Sequence, residues 1–567
     1  MNEILLDGFS LTRAQVVRAA RRRDGSYAQA SLSPEAAERC ARQRSFVETE
    51  WLSGVDQKAI YGFNTGVGIL KDKQVRASRL EEFQTYYIRS HCVGVGEAFD
   101  DDTVRAAILI RANSLASGFS GVRPDLLTAL LSLLAREIHP IVPRVGSLGA
   151  SGDLAPLAHV GAVITGEPEA RVRYQGQVVR LADLPTGAGL SCIQLAPKEA
   201  MALTNGTSFM LADLTLLTAD AQRLQKVADI AAALSLEAML GEIGAFDPRL
   251  QAVRGHPGQE ATARNIRRLL EGGESTGESL RLEYLRKKVE HEVAQTGPKV
   301  REAGLSPESL EAYRVATEHV PRVQDAYSLR CVPQVHGASR DALEHVSEVV
   351  GRELNAVTDN PLLFPEGDGF VAISGGNFHG QPLALAADYA ALALAELGSI
   401  SERRLFRLLN SNLSYGLPSN LTGGEPGINT GLMISQYTAA ALVTESKTLS
   451  HPASVDSIPT SGDQEDHVSM GLWASRKARQ VLENSRRVLA IEILAAAQGV
   501  DLMERTLGRA RTLGRGARAA YDVLRQSGIP VLEEDRYLET DLEAVDRILG
   551  SDALIHAVET TLGSELE

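Results

Sequence analysis

The fold is constrained most by residues 207–240, a run that contains neither proline nor glycine. Apolar side chains fall on every side of this run when it is drawn as a helix, so we expect one long, mostly buried helix. At about 1.5 Å per residue it would span roughly 50 Å. Residues 383–410 and 472–498 have the same character, broken at most by Gly398. Helices that are apolar all round need other helices around them, in one chain or across subunits, so we expect a helical bundle.

Strand signals are few and short. Residues 171–179 alternate in polarity around a Gln-Gly pair, and residues 362–373 carry proline and glycine in their middle. Each pattern predicts a small hairpin. The predicted fold class is therefore mainly α with minor β-hairpins.

We divide the chain into three consecutive ranges. Residues 1–205 form an N-terminal domain, 206–500 a central long-helix domain, and 501–567 a C-terminal helical appendix. Within the central range, residues 254–320 are rich in charge, glycine and histidine, and they predict an exposed helical excursion rather than core. We find no internal repeat and no low-complexity linker between autonomous domains.

Composition excludes several classes of protein. The formal net charge of −14 argues against a nucleic-acid partner. The first residues lack a basic segment followed by an apolar run, so we expect no secretory signal, and no stretch reaches the ~18–20 uncharged apolar residues of a membrane span. The four cysteines are scattered without a C-x-x-C pair, which favours reduced thiols. We therefore expect a soluble, cytoplasmic protein.

The segment 146–156, Gly-Ser-Leu-Gly-Ala-Ser-Gly-Asp-Leu-Ala-Pro, carries the most chemical information. A phosphate-binding loop is excluded because no Gly-Lys-Ser/Thr follows. A hydrolase nucleophile elbow is excluded because Ser151 lacks the G-x-S-x-G spacing. The plain structural alternative is a glycine-rich turn that enters a helix capped near Asp153.

The same residues also allow a reaction of the backbone. A tight turn could press the Gly152 nitrogen against the Ala150 carbonyl, because Gly152 has no Cβ and Ala150 adds little bulk. Ring closure, with loss of water from the ring and from Ser151, would leave an exocyclic methylidene, an electrophile that no ordinary side chain provides. Nearby helix amino termini would stabilise the negative charge that this group gains on attack.

This segment resembles the signature of the histidine and aromatic amino-acid ammonia-lyase family, which includes the related aminomutases, and further matches follow in order over residues 5–550. The resemblance implies a methylidene-imidazolone formed autocatalytically from residues 150–152, with no external cofactor. It also implies the fumarase/aspartase-like superfamily fold with a long central helical bundle. Family members are homotetramers whose active sites draw on several subunits, so we expect Tyr61 and Arg330 to serve rings in other chains. The joint presence of Tyr61, Ala150-Ser151-Gly152, Asn205 and Arg330 disfavours a family member that has lost catalysis and serves as a structural or binding subunit.

The resemblance implies individual roles as well. Tyr61, in the loop 61–68, is the expected base for the substrate β-proton, which requires a lowered pKa for which Arg330 and helix dipoles are candidate causes. Asn205 is expected to contact the ring or the substrate amine, although a helix cap would also explain it. Arg330 would hold the substrate carboxylate as a planar two-donor fork. Lining or supporting roles are expected for Tyr327, Gln334 and Phe378.

Four residues bear on the substrate, and they do not agree. His91 resembles histidine lyases, although bacterial tyrosine lyases and aminomutases can carry the same residue. The pair Gln464-Glu465 resembles histidine lyases more specifically, and a carboxylate at Glu465 would pair with an imidazole N–H but poorly with a phenyl ring. Tyr415 instead resembles tyrosine lyases and aminomutases, where it can meet a phenolic hydroxyl. The expected reaction is elimination of ammonia from L-histidine to give urocanate, with a tyrosine or phenylalanine lyase or 2,3-aminomutase as the open alternative. The Asp-His pair after Glu465 has no partner at ligand spacing, so we expect no metal.

Overall fold

The computed structural model describes residues 3–23, 25–52, 59–274, 278–302 and 323–567. Helices dominate these residues, which confirms the mainly α fold class. The three expected long helices are present as Ser208–Ala238, called the central helix below, Gln381–Leu409 and Gly471–Leu507.

The chain forms two compact units. The first consists of Met1–Ala219, His345–Ala390 and His451–Arg479, and the second of Asp220–Glu344, Ala391–Ser450 and Gln480–Glu567. The three consecutive ranges predicted from the sequence divide the chain differently, and that division stays a prediction.

Shorter helices and strands make up the rest of both units. The first unit contains the helices Arg13–Ala20, Pro34–Phe46, Leu80–His91, Asp101–Ala116, Pro124–Ala135, Leu154–Ile164 and Glu199–Thr204. The second contains Pro248–Ala252, Pro257–Leu270, Glu278–Glu302, Tyr327–Arg330, Met433–Leu449, Arg515–Gln526, Glu539–Gly550 and Ala553–Leu562. Four helices run from one unit into the other: the central helix, Val332–Glu353, Gln381–Leu409 and Gly471–Leu507. The strands outside the predicted hairpins pair as Ile4–Leu6 with Ala30–Leu32, Val95–Ala98 with Pro143–Val145, and His139–Pro140 with Arg171–Tyr174.

Both predicted hairpins are confirmed. Arg171–Tyr174 pairs antiparallel with Gln177–Arg180, and the two residues between these strands have φ values of 50° and 80°. Left-handed conformations at both central positions are typical of a two-residue hairpin turn of type I′. The second hairpin pairs Leu362–Glu366 with Gly369–Ile373.

Helix Leu154–Ile164 organises the part of the first unit that concerns function. It is apolar along most of its length and packs against Leu80–His91 and Glu199–Thr204. Gly161 allows this close approach, since a Cβ at this position would lie 2.9 Å from side-chain atoms of both neighbouring helices. The packing brings together the loop before this helix, the end of Leu80–His91 and the residue that follows Thr204.

One described helix, Gln381–Leu409, is long and apolar enough to cross a membrane by length and composition alone, and 67% of its most apolar window is buried within the protein. A buried core helix can have the same length and apolar composition. This helix also carries Asp388, whose carboxylate accepts a hydrogen bond from Lys477 Nζ at 2.9 Å and from the backbone N–H groups of Ala453 and Ser454. We interpret it as a core helix.

The charged region 254–320 is not simply an exposed excursion. Helix Pro257–Leu270 buries nine of its 14 residues, and Glu278–Glu302 buries Tyr284. The expectation of an exposed excursion is therefore wrong for these helices, because each places apolar residues on a face that packs into the second unit. The remainder of the region, 303–320, lies outside the described residues.

The second unit also contains a fully buried ion pair. Arg404 donates from Nε and Nη2 to the two carboxylate oxygens of Glu492 at 2.5 and 2.8 Å. The hydroxyls of Ser235 and Ser401 donate to the same carboxylate, each at 2.6 Å. These contacts satisfy Glu492 completely, as a carboxylate removed from water requires.

Candidate active site

A cavity of about 750 Å³ opens in the first unit, and every residue that lines it belongs to that unit. The cavity wall includes eight residues predicted from the sequence, drawn from six segments of the chain: Tyr61, His91, Ala150, Ser151, Asn205, Phe378, Gln464 and Glu465. Gly152 follows Ser151 directly in the chain. The structure therefore brings the predicted electrophile, the predicted base and three of the four substrate-discriminating residues to one place.

The Ala-Ser-Gly tripeptide lies in a tight turn on the cavity wall. The φ angle is 73° at Gly149, 59° at Ser151 and 69° at Gly152. A left-handed conformation costs a non-glycine residue such as Ser151 about 1–2 kcal/mol. A Cβ at Gly152 would lie 2.1 Å from the carbonyl oxygen of Gly206, so glycine is required here for both conformation and space.

Hydrogen bonds hold this turn on both sides. On the upstream side, the Gly149 carbonyl accepts hydrogen bonds from Ser469 Oγ at 3.1 Å and from the Gly380 N–H at 2.9 Å. On the downstream side, the Asp153 N–H donates to the Gly206 carbonyl at 2.7 Å. The ends of the turn are thus anchored to separate segments of the chain, which keeps the tripeptide in its compact conformation.

Asp153 caps a helix other than the one predicted. Its side chain makes no capping bond to Leu154–Ile164. Instead one carboxylate oxygen accepts the N–H groups of Phe209 and Met210 at 2.7 and 3.0 Å, in the first turn of the central helix. The other oxygen accepts from the Ser147 hydroxyl at 2.9 Å. Burial raises the pKa of Asp153 to about 6, against the lowering effect of these hydrogen bonds.

The segment that carries Tyr61 is anchored by aromatic packing. Phe63 is almost completely buried among Val47 and Leu363. The ring of Trp51 meets Phe63 edge-on, with 5.3 Å between the ring centroids. Because Phe63 is two residues from Tyr61, this packing holds the predicted base at the cavity wall.

The same loop is tied to the segment that precedes Glu465. Ser461 Oγ accepts the Ile69 N–H at 3.2 Å, and Lys71 Nζ donates to Gln464 Oε1 at 2.8 Å. A Cβ at Gly68 would lie 2.3 Å from Ser461 Oγ, so the two segments are in close contact. Gln464 thus holds the loop through Lys71 in addition to lining the cavity.

Within its own chain, Tyr61 has a raised rather than a lowered pKa. Burial raises the pKa of its phenol, and the negative charge of Glu465 adds to that shift, whereas a hydrogen bond with the Gly68 backbone opposes it. We expected the pKa to be lowered, with Arg330 as a candidate cause, but Arg330 does not line this cavity. Tyr61 also lies on the same cavity wall as Ser151 of its own chain, which disfavours the expectation that it serves another chain's tripeptide.

Glu465 and His91 form the polar part of the wall. The Glu465 carboxylate accepts hydrogen bonds from Ser151 Oγ at 3.5 Å and from Thr460 Oγ1 at 3.1 Å. His91 stacks on Tyr87 with 3.9 Å between ring centroids, and its Nδ1 lies 2.7 Å from the Tyr87 carbonyl oxygen. That carbonyl can only accept, so Nδ1 carries the proton. Burial lowers the pKa of His91, which favours a neutral ring whose Nε2 is an acceptor.

Asn205 has a different role from the helix cap considered above. Its backbone ends helix Glu199–Thr204, and its side-chain Nδ2 donates to Asp359 Oδ1 at 3.4 Å and to the Asn360 carbonyl at 3.3 Å. Its Oδ1 is buried and receives no hydrogen bond from the described residues. A buried acceptor without a donor costs about 1–3 kcal/mol. The side chain is therefore poised to accept a hydrogen bond from a group that enters the site.

The remaining four predicted residues lie in the second unit and do not line this cavity. Arg330 stacks over the ring of Tyr327 at 4.7 Å, and its Nε donates to the Asp325 carbonyl at 2.9 Å. The hydroxyl of Tyr415 donates to the Asp325 carboxylate at 3.4 Å. Tyr327 is 72% exposed. Together with Gln334, which follows on the next helix, these residues form a second cluster, 325–334 with Tyr415.

Sequence reasoning missed several residues of the cavity wall. Tyr87 lies one helical turn before His91, so the period of helix Leu80–His91 could have placed it on the same face. His379, whose Nε2 lies 3.2 Å from the His467 carbonyl, follows directly after the predicted Phe378. Met201 gave no signal in the sequence, since only tertiary packing brings it here.

Known proteins are similar to this chain in both sequence and structure. Residues 11–526 match the family model described as "Aromatic amino acid lyase". The chain is 45% identical to the histidine ammonia-lyase of Gloeobacter violaceus, over 99% of this chain and 98% of that one. Among solved structures it is similar to tyrosine aminomutase from Streptomyces globisporus, with a TM-score of 0.85, 37% identity and full coverage of both chains. It is also similar to histidine ammonia-lyase from Trypanosoma cruzi, with a TM-score of 0.82, 34% identity and coverage of 99% and 96%.

Proposed function

This chain belongs to the aromatic amino acid lyase family, and we propose that it eliminates ammonia from L-histidine to give urocanate. The observation that carries this proposal is the placement of Glu465 and His91 on the same cavity wall as Ala150 and Ser151. A carboxylate beside the electrophile suits a substrate ring with an N–H donor, whereas a phenyl ring would leave that carboxylate without a partner. Relatives that carry the name histidine ammonia-lyase, at 42–46% identity over nearly the whole chain, support it.

The tripeptide suits the autocatalytic methylidene-imidazolone of this family. Positive φ angles at Ser151 and Gly152 make the turn compact, and the contact of Gly152 with Gly206 leaves no space for a side chain. Residues 150–152 would hold the group, because they would become it. When formed, it supplies an electrophile that activates the substrate amino group as a leaving group. No external cofactor is needed.

The residues around the tripeptide then have separate roles in substrate binding and catalysis. Glu465 and His91 bind the substrate ring in its imidazolium form, whose two N–H groups donate to the Glu465 carboxylate and to Nε2 of a neutral His91. Phe378 packs beside the tripeptide. Tyr61 removes the β-proton at its phenolate oxygen, a step that requires a cation near the phenol to lower the pKa that burial raises. Asn205 accepts a hydrogen bond at its buried Oδ1.

We propose that the second cluster completes the site of another chain in a homotetramer. Arg330 would hold the substrate carboxylate there and supply the cation that Tyr61 requires, with Tyr327 and Gln334 beside it. The exposure of Tyr327 supports this arrangement, because an aromatic ring in contact with solvent is available to a second subunit. We place the enzyme in the cytoplasm, in keeping with its free cysteines.

Mass spectrometry and a product assay test the proposed function together. Purified protein should have lost two waters from the peptide that contains residues 150–152, and L-histidine should yield urocanate. Ser151→Ala should lack both properties. Ser132→Ala is a suitable control, because the Ser132 hydroxyl donates to the Ala129 carbonyl and Ser132 does not line the cavity. An unmodified, inactive wild-type protein would refute the proposal.

A second substrate class is favoured by one comparison, the TM-score of 0.85 to tyrosine aminomutase. Tyr415 could meet a phenolic hydroxyl, but in this chain its own hydroxyl donates to Asp325. Assays with histidine, tyrosine and phenylalanine, followed for urocanate, cinnamates and β-amino acids, decide between the two. Turnover of tyrosine or phenylalanine in preference to histidine would replace the substrate proposed here.

Assemblies refolded from two different inactive variants test whether subunits share an active site. Inactive Ser151→Ala and Arg330→Met chains should regain part of the activity when they are refolded together, because one chain supplies the tripeptide and the other the arginine. Ser151→Ala mixed with Tyr61→Phe should stay inactive, because those residues line the same cavity in one chain. The opposite pattern would contradict the proposed assignment.

A further inference from the structure

A buried ion pair lies behind the wall of the cavity. Lys198 Nζ lies 2.5 Å from Asp359 Oδ2, and neither side chain is exposed to solvent. Lys198 has a φ of 81°, an unusual conformation for a residue with a side chain. A buried ion pair is weak evidence for a stabilising role, because apolar residues of similar size often stabilise the fold equally well. A pair of this kind in contact with a site residue therefore suggests a positioning role.

The second oxygen of Asp359 reaches Asn205. Asp359 Oδ1 accepts the Asn360 N–H at 2.7 Å and Asn205 Nδ2 at 3.4 Å, and Nδ2 also donates to the Asn360 carbonyl at 3.3 Å. Both groups that face Nδ2, a carboxylate paired with an ammonium and a carbonyl, can only accept hydrogen bonds. The Asn205 amide therefore has one orientation, with nitrogen towards Asp359 and oxygen away from it.

The oxygen of this amide receives no donor within the part of the chain that the structure describes, although it is buried and belongs to a residue of the cavity wall. Only an N–H or O–H group can satisfy it; a carboxylate or carbonyl of a ligand cannot. In an amino-acid substrate the α-amino group is the donor on the reacting carbon. We propose that Lys198 and Asp359 are positioning residues that orient the Asn205 amide so that its Oδ1 accepts a hydrogen bond from the substrate amino group. This inference rests on the amino-acid lyase activity proposed above.

Replacing the Asp359 carboxylate alone should reverse the orientation of the Asn205 amide. In Asp359→Asn, the Lys198 ammonium and the Asn360 N–H compete for the single oxygen of the new amide. The bond from the charged ammonium is the stronger, so the oxygen turns to Lys198 and the nitrogen to Asn205. Asn205 then turns its own oxygen towards that nitrogen and presents Nδ2 to the substrate amine. In Lys198→Met/Asp359→Asn, the residue at 359 is free to offer its oxygen to Asn205 again. The double variant should therefore restore the original orientation.

Equilibrium binding to full-length protein in the Ser151→Ala background measures this orientation without turnover. Calorimetric titrations compare L-histidine with 3-(imidazol-4-yl)propionate, which differs from it only by the amino group. Asp359→Asn should weaken histidine binding about 10- to 100-fold, the range expected for a hydrogen bond with a charged donor. Binding of the propionate should change by less than about threefold, and the double variant should bring histidine to within about threefold of the parent.

Asp388→Asn is the matched control. Asp388 also pairs with a buried lysine, Lys477, and accepts two backbone N–H groups, but neither residue lines the cavity. This control should change the affinity for both ligands equally and little. If Asp359→Asn fails to fold, Lys198→Met/Asp359→Ala takes its place, because it removes both charges of the pair together with the acceptor of Asn205.

Equal weakening of both ligands, no weakening of either, or a failure of the double variant to recover histidine binding would each overturn the positioning role. Failure of the proposed function gives a different experimental result from failure of the positioning role. In that case wild-type protein does not convert histidine to urocanate, and the same variants are compared with tyrosine and 3-(4-hydroxyphenyl)propionate. A selective loss of the amine-bearing ligand there would retain the positioning role on a different substrate.

Discussion

The contact between Gly152 and Gly206 makes the most quantitative prediction. In Gly152→Ala the new Cβ would lie 2.1 Å from the Gly206 carbonyl oxygen, whereas ordinary contacts begin at 3.4 Å, so the two segments must separate by 3.4 − 2.1 = 1.3 Å. Gly206 cannot simply withdraw, because a Cβ built on it would lie 2.2 Å from Arg111 Nη1 on its other side. The alanine would also have to adopt φ near 69°.

These two effects add to a substantial free-energy cost. The left-handed conformation costs about 1–2 kcal/mol, and overpacking costs about 1–3 kcal/mol, so Gly152→Ala should destabilise the folded chain by about 2–5 kcal/mol. Separation of the segments also releases the turn that brings residue 152 close to Ala150. We therefore expect the variant to retain the two waters that the wild type loses from this peptide.

Intact-mass measurement and thermal unfolding test this prediction against a matched control. Gly176→Ala lies at a similar φ of 80° in a hairpin turn, with no atom within 4 Å of the new Cβ. It should show only the conformational cost, about 1–2 kcal/mol, and normal loss of water from residues 150–152. Complete loss of two waters in Gly152→Ala, or equal destabilisation of the two variants, would refute the reasoning.

Three further predictions concern the base, its electrostatics and the second unit. Tyr61→Phe should lower kcat by about 10²- to 10⁴-fold while the mass change at 150–152 is retained, since the phenol acts only as a general base; activity within tenfold of wild type would remove it from that role. The kcat/KM of the wild type should rise with pH as Tyr61 loses its proton, and Glu465→Gln should move this rise to lower pH, because Glu465 contributes to the raised pKa of the phenol. A pH profile whose rise stays in place would contradict that coupling. Arg404→Met should lower the free energy of unfolding by about 3–5 kcal/mol in chemical denaturation, because it leaves Glu492 buried without its cation, and a loss below about 1 kcal/mol would mean that the pair behaves as an exposed one.

Local patterns in the sequence determined a large part of this protein. The absence of proline and glycine over 207–240 predicts the central helix, since helix formation depends on neighbours three and four residues apart. The two hairpins follow from alternation around turn residues. The tripeptide 150–152 identifies the reaction class, because the chemistry is carried by three consecutive residues and their glycine-rich surroundings.

Tertiary structure decided what depends on residues far apart in the chain. Asp153 caps the central helix rather than its own, and Lys198 pairs with Asp359 across 161 positions of sequence. The direction of the pKa shift of Tyr61 follows from burial and from Glu465, neither of which is visible in the loop itself. Likewise, only the fold separates Tyr61, which lines the cavity of its own chain, from Arg330, which does not. Burial and Coulomb interactions act through space, so motifs indicate which residues a site uses, and packing determines which of them meet and in which charge state.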